Sequence, residues 1–395
     1  MKKGWERKKV SEIAKHSLGK MLDKAKNKGE LKPYLRNLNV RWFDFDLSDM
    51  LEMRFLPEEA ARYTAVKGDV LICEGGYPGR AAIWEQDEPI YFQKALHRVR
   101  FDEPQRSRWF LYHLYAKDLD GTLKAHFNGA GIQHFTGEAL AQFEVPLPPL
   151  PEQQRIVGIL DEAFEGIATA KANTEKNLQN ARALFESHLQ FAFTQRGEEW
   201  VETTIGEHIR FIDYRGKTPE KTESGMRLIT AKNVKMGFLQ ETPMEFVAPD
   251  SYDDWMTRGI PRRGDVLFTT EAPLANVAQL DTDERVVFAQ RIIIMQPNVS
   301  RLDCTFLKYL LLSQPVQQRI HTKGTGATVK GIKASLLKTI EISFPKSLTE
   351  QKQIVAKLDA LTEETQHLES IYQRKLASLE ALKKSLLHQA FTGQL

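Results

Sequence analysis

Residues 150–163 read LPEQQRIVGILDEA and residues 348–361 read LTEQKQIVAKLDAL. Glu152 and Glu350, Leu160 and Leu358, Asp161 and Asp359, Leu184 and Leu382, and Phe193 and Phe391 all stand 198 positions apart, and no gap is needed between Leu150 and Thr194. Both segments also close alike, in Leu189-x-x-Ala192-Phe193-Thr194 and Leu387-x-x-Ala390-Phe391-Thr392. Upstream the halves still correspond, with small insertions: Trp5 with Trp200, Gly19-Lys20 with Gly216-Lys217, Asn39-Val40 with Asn233-Val234, Gly68-Asp69-Val70-Leu71 with Gly264-Asp265-Val266-Leu267, and Gly129-Ala130 with Gly326-Ala327. A tandem duplication must fold as two copies of one plan, here a variable domain followed by a better-kept segment.

The better-kept segments carry helical periodicity. Ile354, Leu358, Leu361, Thr365, Leu368, Tyr372, Lys375, Leu379, Leu382 and Leu386 advance by steps of 4 and 3, the a/d spacing of a coiled coil. The first copy, from Ile156, Leu160, Ala163 and Ile167 to Ala181, Leu184 and His188, is a thinner seam that can pack on the second. Pro151 suits a first helical turn, Thr349 is the expected N-cap of the second helix, and Gly197 and Gly393 follow the ends. The variable segments hold short β-branched or aromatic runs such as VKGDVLIC, HRVRF, GDVLFTT and RIIIMQP between Gly and Pro, which predict strands. The expected class is α+β: two tandem α+β domains over 1–149 and 198–347, separated by two long antiparallel coiled-coil helices over 150–197 and 348–395, in a pseudo-twofold repeat. Each helix would run roughly 60 Å at about 1.5 Å per residue.

Composition excludes some classes. Apolar content of 42% and charged content of 27% over 395 residues describe a globular, multidomain chain. Cys73 and Cys304 sit far apart with no Cys/His cluster near either, so neither a disulfide framework nor a structural zinc site is supported. No apolar run approaches the roughly 18 residues of a membrane span, which predicts a cytoplasmic protein with no membrane partner. Net charge is only +3, but bases crowd the start: Lys2, Lys3, Arg7, Lys8, Lys9, Lys15, Lys20, Lys24, Lys26, Lys28, Lys32 and Arg36, against Glu6, Glu12, Asp23 and Glu30. Such a run supplies phosphate contacts or is simply a solvated face.

Catalytic patterns are not found. No [DNS]PP[YF] stretch is present to hold a flipped adenine, and GAG at 129–131 and GTG at 324–326 recur at equivalent places as turns would. Gly216-Lys217-Thr218 lacks the P-loop glycine, since position 211 is Phe. Glu350-Gln351-Lys352 has a nuclease-like ExK form, yet its copy reads Glu152-Gln153-Gln154, and acids in a helix's first turn suit the dipole. The ten histidines show no metal-ligand spacing, so no catalytic and no metal residues are expected.

Two related heads on an antiparallel helical spacer match the two-fold symmetry of a duplex, whose half-sites recur about one turn, roughly 34 Å, apart or more. The segment PLPPLPEQQRIV, its partner TEQKQIV, the GDVL strands, EGGYPGRAAIW, HFTGEALAQFEVPLPP and GTGATVKGIKASLL, in the order domain, helix, domain, helix, resemble the specificity subunit of Type I restriction-modification systems over essentially the whole chain. The resemblance implies two target recognition domains that each read half of a bipartite double-stranded DNA site. It also implies conserved helices that bind two methyltransferase (M) subunits, and restriction (R) subunits that complete the complex. No cofactor is implied for this chain; S-adenosylmethionine for adenine N6 methylation would belong to the methyltransferase, and ATP and Mg to the restriction partner. The runner-up is a stand-alone DNA-binding scaffold or repressor-like protein, followed by a self-contained methyltransferase or nuclease.

Base readout wants long donors on loops, Arg or Lys for guanine and Asn or Gln for adenine. In the first domain Lys20, Arg36, Asn37, Tyr77, Arg80, Gln93 and Lys94 are the candidates, with Gly75, Gly76 and Gly79 shaping the loop that presents Tyr77 and Arg80. In the second they are Arg215, Lys217, Thr218, Lys232, Asn233, Gln290, Arg291, Lys330 and Lys333; Glu271, Ala272 and Ala275 stand at the places of Gly75, Gly76 and Gly79, so that loop is expected to differ. Ile156, Val157, Ile354 and Val355 are the candidate docking residues, because two equal partners need two equivalent surfaces.

Overall fold

The two GDVL copies fold alike. Gly68 and Gly264 take φ of +91° and +93°, a conformation that glycine adopts without penalty. Asp69 and Asp265 then cap the turn, each accepting at 2.8 Å from the amide three residues earlier. Across the sheet Arg100 grips Asp69 through two bonds of 2.7 and 2.6 Å, and Gln296 donates to Asp265 at 2.7 Å. The strands that follow, Val70–Cys73 and Val266–Thr270, are apolar or Thr throughout and buried at every position.

The computed structural model describes residues 4–23, 25–195, 197–214, 219–326 and 328–395. The principal helices are α1 (Arg106–Leu119), α2 (Leu150–Thr194), α3 (Cys304–Leu312) and α4 (Leu348–Thr392). The chain divides into one unit of Met1–Glu175 with Gln373–Leu395 and another of Lys176–Tyr372, so each unit holds one head, part of α2 and part of α4.

In the first unit a four-stranded sheet runs in the order Ala14–Leu18, Leu96–Phe101, Val70–Cys73, Ala81–Ile83. A second sheet orders Leu51–Phe55, Glu30–Leu35, Ile90–Phe92 and Thr64–Ala65, and Glu6–Lys9 pairs with Glu144–Leu147. α1 supplies Trp109, Phe110, Leu111 and Leu114 to the core. The second unit repeats the plan: Ile209–Asp213, Ile292–Pro297, Val266–Thr270, Leu274–Gln279; then Glu245–Val247, Met226–Ile229, Val287–Phe288; then Trp200–Thr204 with Glu341–Pro345.

Each long helix is 45 residues. Their pairing is antiparallel: in the first unit Arg155 reaches the Leu395 carbonyl (2.8 Å) while Lys171 pairs with Glu380 (3.0 Å). In the second, Arg182 pairs with Glu369 at 2.7 Å, and Leu189 and Phe193 share a core with Leu358. Ser347, rather than Thr349, caps α4, its hydroxyl accepting from the Glu350 amide at 3.3 Å. Gly393, at φ +78°, ends that helix, and the Gln394 amide returns to the Gln389 carbonyl.

The expected a/d seam holds as far as Thr174 and Tyr372 and only in part beyond them, where Ala181 and Leu379 remain inside. Beyond Thr174 the inward positions are Leu178, Ala181, Phe185 and Leu189, and beyond Tyr372 they are Leu376, Leu379, Lys383 and Leu387. Leu184 and Leu382, predicted inside, are 55% and 47% exposed. One additional step of 4 at the same place in both copies moves the stripe, as it must where a helix of 3.6 residues per turn outruns a strict heptad.

Candidate nucleic-acid interface

One asparagine-closed turn recurs in each head. The Asn39 side chain accepts from the Arg36 amide (2.9 Å) and donates to the carbonyls of Asp46 and Asp49 (2.9 and 3.1 Å). Asn233 does the same work, accepting from the amide and hydroxyl of Thr230 and donating to Gln240, Glu241 and Pro243. Asn233 is 1% exposed with both ends of its amide occupied, so its reading as a base contact is corrected: it is a turn staple.

Above the first turn lies the loop Glu74–Arg80. Gly76 and Gly79 have φ of +77° and +84°, and a Cβ on Gly76 would strike the Asn37 amide. Asn37 donates to the Gly75 carbonyl (3.1 Å), Arg80 donates to the Asn37 carbonyl (2.9 Å), and the Arg80 guanidinium lies 3.9 Å from the centre of the Tyr77 ring. These three predicted residues are therefore brought together, with Tyr77 54% exposed at the tip. The second head keeps the backbone sense without the glycines: Ala272 and Ala275 also have positive φ, +47° and +68°.

A hairpin stands beside each loop. Asn128 and His134 exchange amide–carbonyl bonds of 2.9 and 2.8 Å, as do Thr325 and Gly331 at 2.8 Å each. The hairpins are stitched to the sheets in the same way, Phe135 to the Glu74 carbonyl (2.7 Å) and Ile332 to that of Thr270 (2.9 Å). In the second unit this closes a cavity of about 330 Å³ lined by Thr270, Glu271, Gln290, Arg291, Thr325, Val329 and Lys333. Glu271 holds Arg291 Nε at 2.8 Å, which fixes the direction of the guanidinium. The cavity thus gathers three predicted residues, Gln290, Arg291 and Lys333, with exposed Lys330 in the hairpin. Arg291 and Lys333 set two bases against the one carboxylate of Glu271, a lining suited to groove edges and phosphate oxygens.

Other predicted residues fall elsewhere. Lys20 is 7% exposed, its ammonium bound to the Glu59 carboxylate (2.5 Å) and the Arg54 carbonyl (3.0 Å); it is a buried tie to the strand Leu51–Phe55 and the turn after it, which corrects its assignment to DNA. Arg36 is half-buried and clamps Asp49 at 2.7 Å. Gln93 is half-buried beside exposed Lys94, whose amide binds the Lys20 carbonyl, and Lys232 is exposed on its turn. Arg215, Lys217 and Thr218 lie outside the described residues, as do Lys2, Lys3 and Lys24 of the basic run. The rest of that run is dispersed: Arg7 meets Glu144, Lys8 meets Glu6, Lys26 meets Asp23 and Lys32 meets Glu30. Sequence reasoning placed Glu271 in the loop but missed that it holds Arg291, and it took the glycines at 129 and 326 only as turns without noting the apolar tip residues Ile132 and Val329. The signal available was a β-branched residue three positions after each equivalent glycine.

The repeated helical phrase first serves each head. Gln153 and Gln351, 2% and 0% exposed, donate to the carbonyls of Pro148 and Pro345 at 2.8 and 2.7 Å. Asp161 and Asp359 accept from Tyr112 and Tyr309, both at 2.6 Å, and burial with the adjoining carboxylate pushes both phenols up. Ile156 is fully buried in the first core, so it is removed from the docking candidates; Val157, Ile354 and Val355 are half-buried against their cores. Among the described residues no helix is long and apolar enough to cross a membrane, and no group of three or more His, Cys, Asp or Glu is placed to hold a metal.

The family model described as the type I restriction modification DNA specificity domain matches residues 2–180 and again 198–377. This chain is a type I restriction-modification specificity subunit. A specificity subunit is the non-catalytic, DNA-recognising member of its system and carries no cofactor of its own. The chain is 24% identical to the type I restriction enzyme MjaVIII specificity subunit of Methanocaldococcus jannaschii, over 75% of this chain and 73% of that one. It is 23% identical to the EcoBI specificity subunit of Escherichia coli over 80% and 71%. A chain solved in work on complex assembly and conformational transition of the type I R-M system shares the fold at TM-score 0.79 and 19% identity, covering 100% of this chain and 99% of that one. The two-domain α+β reading with paired long helices therefore stands.

Proposed function

We propose that this specificity subunit reads a bipartite duplex target, one half-site per head, and presents it to two adenine-N6 methyltransferase subunits, with restriction subunits completing the complex. The observation that carries the reading is the recurrence of one loop-and-hairpin frame in both heads with different lining residues. Glu74 and Lys94 stand where Thr270 and Gln290 stand, which suits two different half-sites. The stiff helices would set the unread gap between them. Val157 and Val355, at equivalent helix positions and half-buried, offer one docking face per methyltransferase.

The purified chain is incubated with DNA and labelled S-adenosylmethionine, with and without its methyltransferase. Label is expected only with the partner, and methylation mapping should return two half-sites at a fixed gap. Arg291→Ala should relax one half-site by about 1–3 kcal/mol at a single base pair and leave the other untouched. Label without the partner, or loss at both half-sites together, would sink the reading. For the docking face, Val355→Lys should leave one methyltransferase bound instead of two on native mass measurement.

A further inference from the structure

The hairpin tips carry an apolar residue where a surface loop would ordinarily be polar. Ile132 is 75% exposed and Val329 is 54% exposed, at the same position of the two hairpins. A lone exposed aliphatic side chain needs no explanation. Two at equivalent points, in tips that otherwise read GAGIQH and GATVKG, do.

The backbone is built to hold them out. Gly129 and Gly326 take φ of +117° and +121°, and a Cβ on either would collide with the carbonyl of Ile132 or Val329, so only glycine allows the tip to close under that residue. Both residues are β-branched, stiff at χ1, and lose little freedom on contact. Val329 also lines the cavity that gathers Gln290, Arg291 and Lys333, so the apolar group and the long donors face one ligand. In the major groove the one apolar letter beside those donors and acceptors is the C5 methyl of thymine.

We propose that Ile132 and Val329 are specificity-determining residues, each packing on a thymine methyl in its own half-site. The inference rests on the duplex-reading function above. That function also ensures that the letter is there, because the adenine modified in each half-site pairs with a thymine.

The test uses the full chain with its methyltransferase partner and duplexes of the mapped target in which thymines are replaced one at a time by deoxyuridine, which removes the methyl alone. One replacement per half-site should weaken binding about fourfold, the value of one buried methyl group. Ile132→Ala should weaken binding to a similar degree and erase the deoxyuridine penalty in one half-site only, and Val329→Ala should do so in the other. Thermal melting unchanged in both variants separates contact loss from misfolding, since neither side chain supports a core. If no deoxyuridine matters while the variants still bind weakly, the tips are wedges between bases and the proposal is overturned. Penalties that multiply independently overturn it as well. A native complex that fails to bind the mapped duplex rejects the two-head reading itself, before any variant is made.

Discussion

Asn39 and Asn233 are the same residue used twice, each with its amide buried and occupied by the backbone. Each closes its turn by giving both amide hydrogens and its oxygen to the backbone, inside a core where water cannot substitute. Asn233→Ala strands carbonyls and an amide, each at about 1–3 kcal/mol when buried. We expect it to lower urea-unfolding stability by about 2–3 kcal/mol while the half-site sequences found by methylation mapping stay the same; altered base preference in a fully stable variant would restore Asn233 to the interface. The positive-φ positions teach a related lesson. Ala272 and Ala275 keep the backbone that Gly76 and Gly79 mark in the other head, at about 1–2 kcal/mol per residue for an L side chain. The loop itself differs, as expected: the strand that follows it begins at Leu274 in the second head, three residues before Val277, the counterpart of Ala81 where the first head's strand begins.

At the scale of elements, the long helices were readable because their period is local and repeated, and the cavity was not because three distant segments build it. The positions Thr270, Arg291 and Val329 approach only once the sheet and hairpin have formed, and no spacing rule in the chain reports that. The heptad register failed for a different reason: both Leu382 and Leu387 are leucines, and only the shift after Tyr372 decides which is inside. Leu387, 2% exposed, packs in the first core beside Phe391, which touches Trp109 at 4.7 Å between ring centres. Leu387→Ala should cost about 2–5 kcal/mol and Leu382→Ala within about 0.5, measured by chemical denaturation. Equal costs would reject the shifted register. The charges between the helices act on choice of partner more than on stability. Lys171 and Arg182 sit on α2 and their acids Glu380 and Glu369 on α4, so pairing α2 with another α2 would set base against base. Ion pairs this exposed contribute at most about 1 kcal/mol.

For the whole molecule, duplication left two units with one plan and different responses to acid. His97 and His113, in the first unit, are 1% and 4% exposed, and burial pushes their imidazoles down to about 4 and about 3. Their single hydrogen bonds, to the carbonyls of Phe135 and Glu144, do not offset that desolvation. At equivalent places the second unit has Ile293 and Leu310, which cannot titrate. Both histidines are neutral in the native first unit and protonate at about 6.5 once unfolded. The unfolded form therefore binds more protons below that pH, and stability present above about pH 6.5 is lost as pH falls toward 4. The loss is on the order of 2 kcal/mol per histidine by pH 5. Asp118, raised by burial in the same unit, works in the opposite sense but over the lower carboxylate range. Calorimetry between pH 7.5 and 5 should accordingly show the first unit's transition moving down more steeply than the second's. The double variant H97I/H113L, which copies the second unit's residues, should flatten that dependence; an unchanged slope would mean that the two imidazoles are not held neutral by the first unit's core.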